Sequence, residues 1–179
     1  MKYTEPVIDR ALSDVISKTS KGYFNVSDWT RIYENNLVVN ALLLVVLEEV
    51  VTFTSIDTPT ITTIPTITMV NNLVGNIEAS RLKAIEFVEG ASASDERTNI
   101  MNLIAIKTNW EAGARKDAPD YLVANQWEET LHVIFNNIGD AVGYTSWVSD
   151  AVSPTRKPRT GPAVSGTGLM RQNGFRRYS

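Results

Sequence analysis

The run from Leu37 to Leu47, apolar at every position except Asn40, constrains this chain more than any other feature. It is shorter than the roughly 20 residues that a membrane-spanning helix needs, and it closes on Glu48-Glu49. The expectation is a buried core helix that other helices must surround. Trp29, Ile32, Tyr33 and Leu37 extend the same face upstream, so the helix is predicted to start around Asn25 to Ser27 and to run to about Val50. Upstream, Val7, Ile8, Ala11, Leu12, Val15 and Ile16 fall in pairs four apart. This predicts an amphipathic first helix with Thr4 as cap and Pro6 in its first turn, ending near Ser20-Lys21-Gly22.

Downstream the pattern changes. Between Val50 and Thr66 the chain is rich in Val, Ile, Thr and Phe and carries Pro59 and Pro65, which predicts an extended arm or a small hairpin. Helical spacing returns from Thr68 to about Val88 and from Ser94 to about Ile106. A polar loop follows from Lys107 to Asp120, then a helix from about Asn125 to Ile138 with Trp127, Leu131, Ile134 and Phe135 as its apolar stripe. Tyr144, Trp147 and Val148 are candidates to dock on this body. From Pro154 onward, Gly, Pro, Ser, Thr and Arg cannot build a core. The expected fold is mainly α: an irregular helical bundle over residues 1–152, with a short extended or β arm at 50–67 and a non-globular basic extension at 153–179.

Charge divides the chain in the same place. Arg156, Lys157, Arg159, Arg171, Arg176 and Arg177 follow Pro154 with no acidic residue among them, leaving 11 basic residues against all 20 acidic ones upstream. An acidic body with a basic tail suits an arm laid over acidic surfaces of adjacent subunits, with Phe175 and Tyr178 as apolar anchors. The alternative is phosphate tracking by Arg171, Arg176 and Arg177, with Phe175 and Tyr178 stacking on bases.

Little in the sequence points to catalysis. Without cysteine, thiolate nucleophiles, disulfides and cysteine-ligated metals are excluded. His132 is the sole histidine and lies among Leu131, Val133, Ile134 and Phe135, where a boundary or core role is expected. Glu48-Glu49 and Glu128-Glu129 are adjacent pairs that diverge by about 100° on a helix, so solvated faces are expected rather than a carboxylate dyad. No calcium loop is present, and Gly161 to Gly168 lacks the Lys-Ser/Thr ending of a phosphate loop. No enzyme activity, cofactor, metal or small-molecule substrate is expected, nor an export signal at the N-terminus.

The sharpest internal signal is a repeated motif. Tyr23-Phe-Asn-Val-Ser27-Asp-Trp29 and Tyr121-Leu-Val-Ala-Asn125-Gln-Trp127 both place a Tyr six residues before a Trp, with a capping type two residues before the Trp. Glu128, three after Asn125, suits a capping box. A third copy, Thr68-Met-Val-Asn71-Asn-Leu73, keeps the cap without the aromatics, and the unequal spacing excludes a regular solenoid. Tyr23, Trp29, Tyr121 and Trp127 are therefore either core residues or faces that dock a neighbouring subunit.

The segments Tyr23-Phe-Asn-Val-Ser-Asp-Trp-Thr-Arg-Ile-Tyr-Glu-Asn-Asn36, Pro65-Thr-Ile-Thr-Met-Val-Asn-Asn-Leu-Val-Gly-Asn-Ile77 and Thr108-Asn-Trp-Glu-Ala-Gly113, followed by Tyr121 to Trp127, resemble small tail structural proteins of phages of Gram-positive bacteria. Trp29 and Trp127 stand where that family often has Leu, and Tyr33 where it has Glu, so no role of that Glu carries over. The resemblance, which spans residues 23 to 138, implies a virion component of the distal tail or baseplate. Its partners would be other virion proteins and copies of itself, in the virion and, during assembly, in the host cytoplasm. A nucleic-acid-binding accessory protein and a receptor- or carbohydrate-binding module using exposed Trp and Tyr are the other classes; no membrane partner is expected.

Overall fold

The computed structural model describes residues 2–22, 24–48, 51–57, 59–60, 65–111 and 119–141, with main chain only from 139 onward. Among the described residues there are five helices: α1 (Leu12–Ile16), α2 (Val26–Leu47), α3 (Ile67–Glu89), α4 (Asp95–Met101) and α5 (Tyr121–Ala141), with a 3-10 turn at Ser20–Gly22. No β-strand occurs among the described residues. The three long helices α2, α3 and α5 pack on one another, and α4 lies against α3 and α5.

Each long helix begins where its sequence can satisfy the free N–H groups of the first turn. At α2, the Asn25 side chain accepts from the Ser27 and Asp28 amides, and Asp28 accepts in return from the Asn25 amide. Thr66 accepts from the Met69 amide to start α3, and Asp120 accepts from the Leu122 and Val123 amides to start α5. The caps are therefore Asn25, Thr66 and Asp120. Ser27, Asn71 and Asn125, two residues before each anchor, all lie inside their helices, and Glu128 closes no capping box.

The core is apolar and helical. Trp29, Ile32, Val39, Leu42 and Leu43 of α2 meet Leu73, Val74, Ile77, Ala84 and Val88 of α3, Ile100 of α4, and Trp127, Leu131, Ile134 and Ile138 of α5. Full burial of each large side chain contributes about 1.5–3 kcal/mol. The Leu37–Leu47 run supplies the centre as expected, although Leu44 and Val45 face outward. By length and apolarity α2 would pass for a membrane span. Two of its buried asparagines reach neighbours, Asn36 donating to the Ser80 hydroxyl of α3 (3.0 Å) and Asn35 holding the N-terminal chain.

Four expectations are revised. The helix read from Ser94 to about Ile106 ends at Met101, and residues 103–106 are non-helical. The first helix is reduced to Leu12–Ile16, none of whose residues is buried. Residues 3–10 run without helix, and Thr4 caps nothing; it is held by Asn35. Residues 51–57 form neither helix nor strand and lie on the body, with Val51 and Ile56 buried, so no β arm is seen among the described residues. The loop after Lys107 is not wholly polar: Trp110 is buried and Lys107 sits 4.4 Å over its ring. The centre of the 50–67 arm (61–64), the docking candidates Tyr144, Trp147 and Val148, and the 153–179 extension lie outside the described residues.

Candidate functional site

Where the N-terminal chain crosses α2 and α5, four charged side chains meet in the interior. Asp28 and Arg31 are one turn apart on α2, Glu128 projects from α5, and Arg10 arrives on the non-helical N-terminal segment with a side chain only 1% exposed. Arg10 Nη2 donates to Asp28 Oδ1 (2.9 Å) and Glu128 Oε1 (2.7 Å). Arg31 donates through Nε to Glu128 Oε2 (2.8 Å) and through Nη2 to Glu128 Oε1 (2.7 Å) and Asp28 Oδ1. Glu128 also accepts from the Val7 amide (2.8 Å). Two guanidiniums against two carboxylates make the cluster formally neutral, the condition under which buried charge is tolerated. The hydrogen bond to Glu128, then that to Asp28, raises the Arg31 pKa above its ordinary value against the opposing effect of burial. The expectation that Glu128 belongs to a solvated face is thereby corrected: it is 1% exposed, whereas Glu129 is on the surface.

These carboxylates are committed to guanidinium and main-chain donors, so the cluster orients chain. A second, smaller version holds the segment after α4. Glu78 Oε2 accepts from the Ile106 amide (2.9 Å) and from Arg81 Nε (2.7 Å), while Arg81 Nη1 donates to the Leu103 carbonyl (3.1 Å). Burial raises the Glu78 pKa, but the Arg81 hydrogen bond and the Ile106 amide outweigh it and leave that carboxyl below its ordinary value. Arg81, bonded to Glu78, is shifted up.

The same straps are gripped by asparagine carboxamides. Asn35 accepts from the Thr4 amide and donates to the Thr4 carbonyl, both at 2.8 Å. Asn76 does the same to Thr54 (2.8 and 2.8 Å), Asn71 to Trp110 (2.8 and 3.0 Å), and Asn125 to Arg10 (3.3 and 2.9 Å). A carboxamide carries one acceptor and one donor edge, as a peptide unit does. Each therefore satisfies both main-chain groups of one residue that lacks a helical or sheet partner.

Of the aromatic candidates, Trp29 and Trp127 are each 1% exposed, so both indoles are core. The structure brings them together through Phe24, whose ring meets both edge-on at centroid distances of 6.3 and 6.0 Å. Sequence spacing alone did not single out Phe24, which is 41% exposed. Tyr121 is half-buried as the first residue of α5. Tyr23, Arg171, Phe175, Arg176, Arg177 and Tyr178 lie outside the described residues. His132 is half-buried, with Nε2 2.9 Å from Asn136 Nδ2, at the boundary position expected of it.

The exposed surface also carries an apolar stripe. Leu12, Val15 and Ile16 of α1 are 57, 38 and 71% exposed, and Ile8, four residues earlier, is 42% exposed. Beside the N-terminus of α2, Thr4, Asn25, Val26, Ser27, Thr30, Arg31 and Glu34 line a wide-open depression of about 810 Å³. No group of three His, Asp or Glu residues suited to a metal occurs among the described residues. Compared with family models, curated proteins and solved structures, the chain matches none.

Proposed function

We propose that this chain is a structural subunit of a multi-copy viral assembly, a phage tail or baseplate, working through protein–protein contacts. The observation that carries the assembly reading is α1. Soluble folds expose apolar side chains singly, whereas this helix turns Leu12, Val15 and Ile16 outward along one face and buries none of its residues. A neighbouring subunit supplies the cover that the body does not. The straps and the locked charge cluster support the same reading, because they spend buried polar groups on fixing chain paths. The viral assignment draws on the resemblance of residues 23 to 138 to tail proteins. The basic tail adds reach and electrostatic steering toward acidic neighbours.

Light scattering of the full chain and of a chain ending at Ser153, at low and moderate salt and with and without DNA, tests the proposal. Salt-sensitive oligomers that the truncation abolishes, without DNA binding, are expected. A monomer that binds DNA through its six C-terminal basic residues would favour the nucleic-acid reading instead.

A further inference from the structure

We infer that residues 3–10 are exchanged between copies, so that the groove between α2 and α5 that holds a chain's own N-terminal arm accepts the same arm from a second copy. The inference rests on the assembly reading and gives it a mechanism.

The arm is held in a way that does not depend on which chain it belongs to. Among the described residues, 3–10 make no main-chain to main-chain hydrogen bond with the body. Asn35 grips Thr4, Glu128 takes the Val7 amide, Asn125 brackets Arg10, and Asp28 and Glu128 receive its guanidinium. Tyr3 stacks on Phe135 with ring centroids 4.1 Å apart and planes within 7°. Every copy offers these same groups.

Simple release of the arm is disfavoured. An empty groove would forfeit the Arg10 bonds to Asp28 and Glu128 and the bond from the Val7 amide to Glu128, and would uncover the Phe135 ring on which Tyr3 stacks. The groove is therefore filled in either state, by its own arm or a neighbour's.

The connector has the properties that favour exchange. After α1 the chain doubles back tightly. The Thr19 amide donates to the Asp14 carbonyl (3.0 Å), Lys18 is forced to φ +53°, and Gly22 lies so close that a Cβ there would sit 2.3 Å from the Asp14 carbonyl oxygen. Short connectors under backbone strain invite domain swapping, because opening them relieves the strain at no cost in arm contacts. The uncovered Leu12, Val15 and Ile16 stripe lies in this connector. Two connectors passing each other in an exchanged pair would bury it against its own copy.

The chain has no cysteine, so introduced thiols report without background. Tyr3→Cys and Phe135→Cys would be made in separate full-length chains, mixed, and treated with a short bis-maleimide; Thr4→Cys and Asn35→Cys form a second pair in case the first disturbs the fold. The sites of linkage would be mapped by mass spectrometry, with light scattering on the same samples. A shift to two-chain mass carrying 3–135 or 4–35 links, in excess of 3–3, 4–4, 35–35 or 135–135 links, is expected. Oligomers without arm-to-groove links between chains would overturn arm exchange and leave the assembly reading standing. A monomer would overturn both.

Discussion

Replacing Glu128 by Gln keeps the shape of the side chain and removes the charge on which the N-terminal lock turns. Glu128 accepts four hydrogen bonds at 2.7–2.8 Å, three from guanidinium nitrogens and one from the Val7 amide. Its side chain is wholly buried. An amide can accept on one edge only and would aim its own N–H groups at donors, leaving two arginines beside a single carboxylate. Breaking a buried pair from one side costs about 3–5 kcal/mol, because the orphaned charge stays desolvated. Domains of this kind are stable by about 5–15 kcal/mol, so the loss is a large share of the total. With a urea slope of about 1–3 kcal/mol per molar, the unfolding midpoint should fall by about 2 M. Glu129→Gln, on the exposed side of the same turn, should stay within about 0.5 kcal/mol of the parent. Equal midpoints for the two variants would refute the account of Glu128 as the centre of a buried lock.

Other outcomes follow from the straps and turns. Asn76→Ala should cost about 1–3 kcal/mol by orphaning both main-chain groups of Thr54, and hydrogen exchange should accelerate at the Thr54 amide while the Trp110 amide stays protected by Asn71. The folded state holds Glu78 below its ordinary carboxyl pKa of 4.5, so the native chain binds fewer protons there than the unfolded chain. Its contribution is complete above that value and is lost as pH falls through the lowered one. Urea midpoints from pH 6 down to pH 3 should therefore drop less steeply in Glu78→Gln than in the parent. Burial raises the Tyr3 phenol above its ordinary value of 10, so its contribution is complete below pH 10 and fades as pH rises further; Tyr3→Phe should flatten the alkaline loss seen by circular dichroism. Two alanine substitutions should have opposite signs. Gly22→Ala collides with main chain and should lower stability by about 1–3 kcal/mol, whereas Gly75→Ala, in the open on α3, should raise it by about 0.5–1 kcal/mol in thermal melts.

The long helices were legible because burial imposes a period on the sequence. Leu73 and Ile77, Leu131 and Ile134, and the Leu37–Leu47 run mark core faces directly, and the ends of α2 and α3 fall close to expectation. The same rule failed at Val7 to Ile16, whose spacing is helical while residues 3–10 are captured in non-helical form by side chains of α2 and α5. Local spacing cannot register a partner more than 100 positions away, and the Val7–Glu128 contact is of that kind. Asn125 has the chemistry of a cap and sits near a helix start, yet Asp120, one turn earlier, takes that role. A signal for the clamps was present in the asparagines themselves. Asn is a poor residue for a helix interior, so Asn35, Asn71, Asn76 and Asn125 inside α2, α3 and α5 required a reason that the clamps supply. The pairing of Asp28 with Arg31 and of Glu78 with Arg81, each three apart, was readable as local ion pairs; the arrival of Arg10 at the first was not.

The carboxamide clamps read the peptide unit and ignore the letter attached to it. Thr4, Thr54 and Trp110 are held by atoms that nearly every amino acid possesses, so their side chains are free to change so far as the clamp is concerned. The number of residues between grips is another matter. Thr4 at Asn35, Val7 at Glu128 and Arg10 at Asn125 divide the arm into steps of three, and one inserted or deleted residue would present the wrong peptide to every later grip. Such straps tolerate respelling and forbid miscounting, so among relatives of this chain gaps should be rare in the segments that ordinarily collect them.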